Sequence, residues 1–170
     1  AEILAQVKTE AVALSRPPSF LAIAVAPSFA TQSYLKMKRA QAEQIGIHMK
    51  VRVYEEVTTE ELVRVLHEAT EDAVIVQLPL PESIDTRAVL EAIPVEKDAD
   101  ALSAKTREQY PEQHPVAAAV REVLTRGGID PSLKRVTVVG KGWLVGAPAA
   151  AWLASVGALV TVVTREQGDA

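Results

Sequence analysis

The 170-residue sequence predicts an α/β fold with parallel sheets in two regions, and three observations carry that expectation. Helical and strand-like patterns alternate almost from end to end, which calls for crossover helices between parallel strands. Two of the strand-like runs, 20–25 (FLAIAV) and 73–77 (AVIVQ), are apolar up to their last residue, the mark of a strand buried on both faces. Three glycines stand between a strand-like and a helical stretch near position 140.

The elements follow in order. Residues 1–14 read as a helix stopped by Pro17 and Pro18, and 20–25 as the first buried strand. The helix over 30–45 ends at Gly46. Residues 49–54 alternate polar and apolar, so this strand is placed nearer an edge. Thr58 and Glu61 supply a Thr-x-x-Glu capping box for a helix reaching Ala69, ahead of the buried strand at 73–77. A short helix over 86–92 precedes a polar stretch, 94–114, read as a loop. Then come a helix over 115–126 broken by Gly127 and Gly128, a strand over 135–139, a helix over 144–156 and a strand over 158–163. The polar stretch divides the chain, with the boundary at 113/114. The first residues read as already inside a helix, no initiator methionine is present, and the second region ends after two strands. The sequence therefore reads as truncated at both ends.

Composition narrows the function classes. A hydrophobic fraction of 48% supports a real core, and with aromatics at 4% aliphatic side chains must fill it. A net charge of −4 and a pI near 5.5 argue against a nucleic-acid partner, which needs clustered positive charge. Cysteine is absent, so neither disulfides nor thiolate ligands are available, as suits a reducing cytoplasm. His48, His67 and His114 show no ligand spacing, and no metal is expected. No apolar run approaches the roughly 20 residues that span a bilayer.

Chemistry is legible in four places. Gly140, Gly142 and Gly146 fall between strand and helix in a G-x-G-x-x-x-G spacing, one residue longer than the usual dinucleotide fingerprint. Glycines allow a tight turn and close approach to a pyrophosphate, which the helix N-terminus then meets with its N–H groups. This is the start of a Rossmann-type dinucleotide-binding domain; a turn without ligand is the alternative. Arg165, just past the last strand, favours a ribose 2′-phosphate, whereas Glu166 opposes it. Tyr34 and Lys38 share a helix face at i and i+4, a spacing also common on plain surfaces. Gln77 closes an apolar strand at the carboxyl edge, where open α/β sheets place their ligands. Trp143 is expected to pack between helix and sheet or else flank a cofactor. Asp98 is expected in solvent, and Lys36, Lys38 and Arg39 form a basic cluster that is either solvated or attracts a polyanionic tail.

In this order and spacing, Tyr34-x-x-x-Lys38, the Gln77-Leu78-Pro79-Leu80-Pro81 run, Lys97-Asp98-Ala99-Asp100, and Gly140 with Val145-Gly146-Ala147-Pro148 resemble the bifunctional methylenetetrahydrofolate dehydrogenase/methenyltetrahydrofolate cyclohydrolase family. The resemblance extends from the first helix to Val163. It implies a parallel-sheet N-terminal catalytic domain over 1–113 that binds tetrahydrofolate derivatives, followed by the beginning of an NADP-binding domain over 114–170. It further implies that Tyr34 stacks on the pterin and that Lys38 handles protons beside the one-carbon bridge. Gln77 would hydrogen-bond Lys38, Asp100 would hold the pterin's amino edge, and Leu78 and Pro79 would line the substrate. Gly140, Lys141, Gly142, Val145 and Gly146 would cradle the NADP phosphates. An ammonium between an aromatic ring and a neutral amide, shielded by bound folate, loses solvation, which suits proton handling. A cytoplasmic homodimer is implied as well. Three departures stand out: Lys141-Gly142 where the family commonly has Arg-Ser, Ala101 where a glycine is usual, and His114-Pro115-Val116 where Cys-Thr-Pro is expected. Another two-domain nicotinamide dehydrogenase, or a non-catalytic folate- or nucleotide-binding remnant, are the rival readings.

Overall fold

The structure, a computed structural model, describes residues 2–164. The chain divides between Ala99 and Asp100 into two compact units. That division falls inside the 94–114 stretch, ahead of the 113/114 boundary expected from sequence.

The first unit is built on a three-stranded parallel sheet in the order β2-β1-β3. Its strands are β1 (Ser19–Val25), β2 (His48–Tyr54) and β3 (Ala73–Val76). Helices α1 (Glu2–Val12), α2 (Phe29–Gln44), α3 (Thr59–His67) and α4 (Thr86–Glu91) alternate with them. The chain steps from β1 to β2 in one direction and from β2 past β1 to β3 in the other. Right-handed crossovers in opposite directions put α2 and α3 on opposite faces of the sheet. The burial agrees. Ala22, Ala24 and Ile75 pack with Leu35 and Ala42 of α2 and with Met49. The alternate set, Leu21, Ile23, Val74 and Val76, is just as inaccessible, as are Leu62 and Leu66 of α3 and Val89 of α4. Helix α4 packs on α3. Strand β2 holds an edge, as its alternating pattern predicts, and the Thr58 capping box is formed in both directions.

The 94–114 stretch is not the expected loop. A 3-10 turn over Val95–Lys97 leads to Asp98, which bridges to Val74 beside β3 and is only 3% exposed. The expectation of a solvated Asp98 is therefore corrected: the segment lies along β3 as a surrogate strand. Helix α5 (Ala104–Gln109) follows, capped by Ser103, whose Oγ accepts from Thr106 N at 3.1 Å, and then a 3-10 turn over Pro111–Gln113. Ala101, Leu102, Ser103 and Thr106 are all buried.

In the second unit, α6 (Pro115–Arg126) and α7 (Gly146–Ser155) accompany the parallel pair β4 (Arg135–Val139) and β5 (Leu159–Val163). Ala117, Trp152, Leu153 and Ala158 form its core with Val136, Val138 and Val160 against them. The other sheet face, with Thr137, Val139, Leu159 and Thr161, is exposed. His114 is buried and its Nδ1 accepts from Val116 N at 3.2 Å, so where the family pattern has a cysteine this chain has a helix cap.

Candidate active site

Helix α2 leaves the C-terminal end of β1 through Ala26, Pro27 and Ser28, and the Ser28 hydroxyl caps it by accepting from Thr31 N. This start sets Tyr34 and Lys38 one turn apart on one face. Lys38 Nζ lies 4.9 Å from the Tyr34 ring centroid, within cation–π range, and Tyr34 is 45% exposed. The basic cluster divides by direction. Lys36 and Arg39 lie over the edge strand with Val51 and Val53, and Arg39 pairs with Glu43 at 3.2 Å.

Gln77 directly follows β3, the strand beside β1, and its N–H donates to Ile23 O at 2.8 Å. Its Nε2 donates to Leu78 O at 3.2 Å, which leaves Oε1 as a buried acceptor with no hydrogen-bond partner. The Lys38–Gln77 hydrogen bond expected from the family pattern is therefore not made. A buried acceptor in this condition costs about 1–3 kcal/mol, so Gln77 marks a place where a donor is wanted. The Leu78–Pro79 peptide is cis, Leu78 is half-buried and Pro79 is exposed.

Topology brings these residues to one edge. The loop after β1 runs to α2 on one face, while the loop after β3 runs to α4, which packs with α3 on the other. The crevice between the carboxyl ends of β1 and β3 is thus a switch point, where open α/β sheets bind ligands. Tyr34, Lys38 and Gln77 all belong to its two flanks. Asp100 opens the second unit and is half-buried. Ala101 after it has φ +47°, a left-handed conformation in which the usual glycine would be relaxed.

The glycine turn follows β4 directly. Gly140 has φ +97° and its N–H donates to Val163 O at 2.8 Å. A Cβ on Gly146 would stand 2.1 Å from Gly140 O, so only glycine lets the helix start against the strand end. No side chain caps α7 at Val145, and Lys141, Gly142 and Val145 are exposed. An uncapped helix start behind a glycine turn fits a pyrophosphate. Arg165, the expected 2′-phosphate contact, lies outside the described residues.

Trp143 does not pack between helix and sheet; Trp152 does. Trp143 is 45% exposed and stacks under Arg107, whose guanidinium carbon is 3.8 Å from the ring centroid. Arg107 belongs to no motif, and nothing local in the sequence marks it. Among the described residues no group of three or more histidines and carboxylates is placed to hold a metal ion, and no helix is long and apolar enough to cross a membrane.

The family model for the tetrahydrofolate dehydrogenase/cyclohydrolase catalytic domain matches residues 1–100. The chain belongs to this family. The bifunctional protein FolD of Halothermothrix orenii is 34% identical over 168 residues, covering 91% of this chain and 59% of the relative. A 5,10-methylenetetrahydrofolate dehydrogenase from the silkworm Bombyx mori superposes with a TM-score of 0.85 at 29% identity, over 96% of this chain and 64% of that one. The Trypanosoma brucei methylenetetrahydrofolate dehydrogenase-cyclohydrolase, solved with NADP and an inhibitor, superposes at 0.81 with 33% identity, over 96% and 61%. The chain thus spans about three fifths of the length of these relatives.

Proposed function

We propose that this protein works in folate one-carbon metabolism, oxidising 5,10-methylenetetrahydrofolate to the methenyl form with NADP and hydrolysing that product to 10-formyltetrahydrofolate. In this reading 1–113 is the folate-binding catalytic part and 114–170 begins the NADP-binding part, in a cytoplasmic homodimer. The observation that carries it is the Lys38 ammonium held over the Tyr34 ring, at the sheet edge where Gln77 keeps a buried acceptor unsatisfied. Tyr34 offers an exposed aromatic face to the pterin, and Leu78 and Pro79 line the same edge. Lys38 supplies an ammonium that can handle the protons of the water adding to the one-carbon centre, and Gln77 Oε1 is the acceptor that would orient it. Asp100 offers a carboxylate to the donor-rich edge of a pterin. Bound NADP supplies the hydride acceptor; the turn residues Gly140, Lys141, Gly142, Val145 and Gly146 would hold its phosphates, with Lys141 the cation among them. The NADP bound to the Trypanosoma brucei relative supports that choice of cofactor.

The test is methenyltetrahydrofolate hydrolysis. Lys38→Met keeps the stem and removes the ammonium, so a folate analogue should still bind by calorimetry while hydrolysis falls by about 10²–10⁴-fold. Lys36→Met is the control, because Lys36 lies over β2. Gln77→Ala should act in the same direction more mildly. Hydrolysis by Lys38→Met at the rate of the Lys36→Met control would end the assignment.

A further inference from the structure

The turn at 140–146 is exposed over most of its length and contains glycines free to adopt several conformations. A long-range side chain holds it. Arg107, reaching from α5, donates from Nη1 to Trp143 O at 2.9 Å and from Nε to Ala101 O at 2.7 Å. Its guanidinium carbon also lies over the Trp143 ring, 3.8 Å from the centroid. Two carbonyls and a ring face are thus engaged by one planar group, a combination that a lysine cannot reproduce. We propose that Arg107 is a positioning residue for dinucleotide binding: clamped on Trp143, it presets the 140–146 turn in the conformation that meets a pyrophosphate.

The physical reason lies in the peptide unit. The C=O and N–H of a trans peptide point in opposite directions. Fixing the Trp143 carbonyl on Arg107 therefore fixes where the Leu144 N–H points, and it turns one carbonyl oxygen away from an incoming anion. The rest of the turn is pinned by Gly140 N to Val163 O at 2.8 Å and by Val145 N and Ala147 N, both to Gly142 O, at 3.2 and 3.0 Å. Beside those backbone bonds, Arg107 restrains the exposed peptide after Trp143. Without the clamp the turn would be competent for only a fraction of the time, and apparent affinity falls by that fraction. The Ala101 contact ties the same restraint to the residue next to Asp100.

The inference rests on the dinucleotide reading of this turn, and the experiment separates the two. NADP binding is measured by calorimetry on the full chain, well below the melting temperature, for wild type, Arg107→Ala, Arg107→Lys and Trp143→Phe. Arg107→Ala and Arg107→Lys should each weaken NADP by about tenfold, matching a competent fraction reduced to about a tenth. Trp143→Phe keeps a ring and the main-chain carbonyl and should lose only about two- to threefold, in proportion to a weaker cation–π contact. Near-ultraviolet circular dichroism of the nucleotide-free chain gives a second readout: Arg107→Lys should flatten the band of Trp143 while far-ultraviolet spectra stay unchanged. If wild type binds NADP and Arg107→Lys binds it equally well, only the charge matters and the clamp is refuted while the dinucleotide reading stands. If wild type does not bind NADP at all, both fall.

Discussion

At the scale of single residues, two positions show how little room this chain leaves. Gly146 meets the carbonyl oxygen of Gly140 so closely that a methyl group would overlap backbone, not a movable side chain. Gly146→Ala should therefore destabilise the protein by about 1–3 kcal/mol, the usual cost of forcing atoms into a packed site. NADP binding should be lost beyond what that destabilisation explains, which urea denaturation and calorimetry together would establish. A variant as stable as wild type would show that the close approach is not required. Gln77 shows the same tightness in its polar contacts: its Oε1 is buried without a partner, the sort of defect that native proteins keep where a ligand or a moving side chain uses it.

At the scale of elements, α3 is the best-specified piece of the first unit. Thr58 Oγ1 accepts from Glu61 N at 3.2 Å, and the Glu61 carboxylate accepts from Thr58 N at 2.9 Å. These bonds hold the Glu61 carboxyl below its ordinary range, the backbone N–H of Thr58 foremost. Thr58→Ala removes one side of the box and should cost about 1 kcal/mol, read as a lower urea midpoint with unchanged slope. A midpoint equal to wild type would mean that burial of Leu62 and Leu66 alone sustains the helix. Helix α5 is the contrary case. Five of its six residues, Ala104–Gln109, are polar and they show no apolar period, so the sequence offered no reason to expect it. What makes it a helix is the Ser103 cap together with the burial of Thr106.

At the scale of the whole molecule, the acid limb of stability has an identifiable contributor. Asp72 accepts from both terminal guanidinium nitrogens of Arg16, at 2.7 Å for Nη1, and from Ser19 N and Oγ at 2.8 and 2.9 Å. The Arg16 hydrogen bonds first, and then those of Ser19, hold its carboxyl far below the usual carboxylate range. A carboxylate depressed by folding contributes stability that is complete above its unfolded pKa, about 3.9, and lost as pH falls through the folded value. Wild type should therefore exceed Asp72→Asn in stability near neutral pH, and the difference should shrink as pH falls from about 4 toward 2. Both partners are exposed, so the gap should also narrow in high salt. Urea midpoints for the two proteins across that range check this; a gap that stays constant with pH would assign the effect to hydrogen bonding alone.

The sequence by itself determined the features that repeat at short range. Apolar runs marked β1 and β3, alternation marked β2 as an edge, and a four-residue box started α3, because period and capping are properties of neighbouring residues. It likewise placed Tyr34 and Lys38 on one helix face, since an i, i+4 spacing leaves no other arrangement. Only the tertiary structure decided what depends on residues far apart in the chain. Asp98 is buried because its segment pairs with Val74, and Arg107 matters because it meets Trp143, 36 positions later. The edge shared by Lys38 and Gln77 exists because β3 crosses back beside β1. No local pattern encodes such meetings, since they are set by which strands pair and which faces the helices cover.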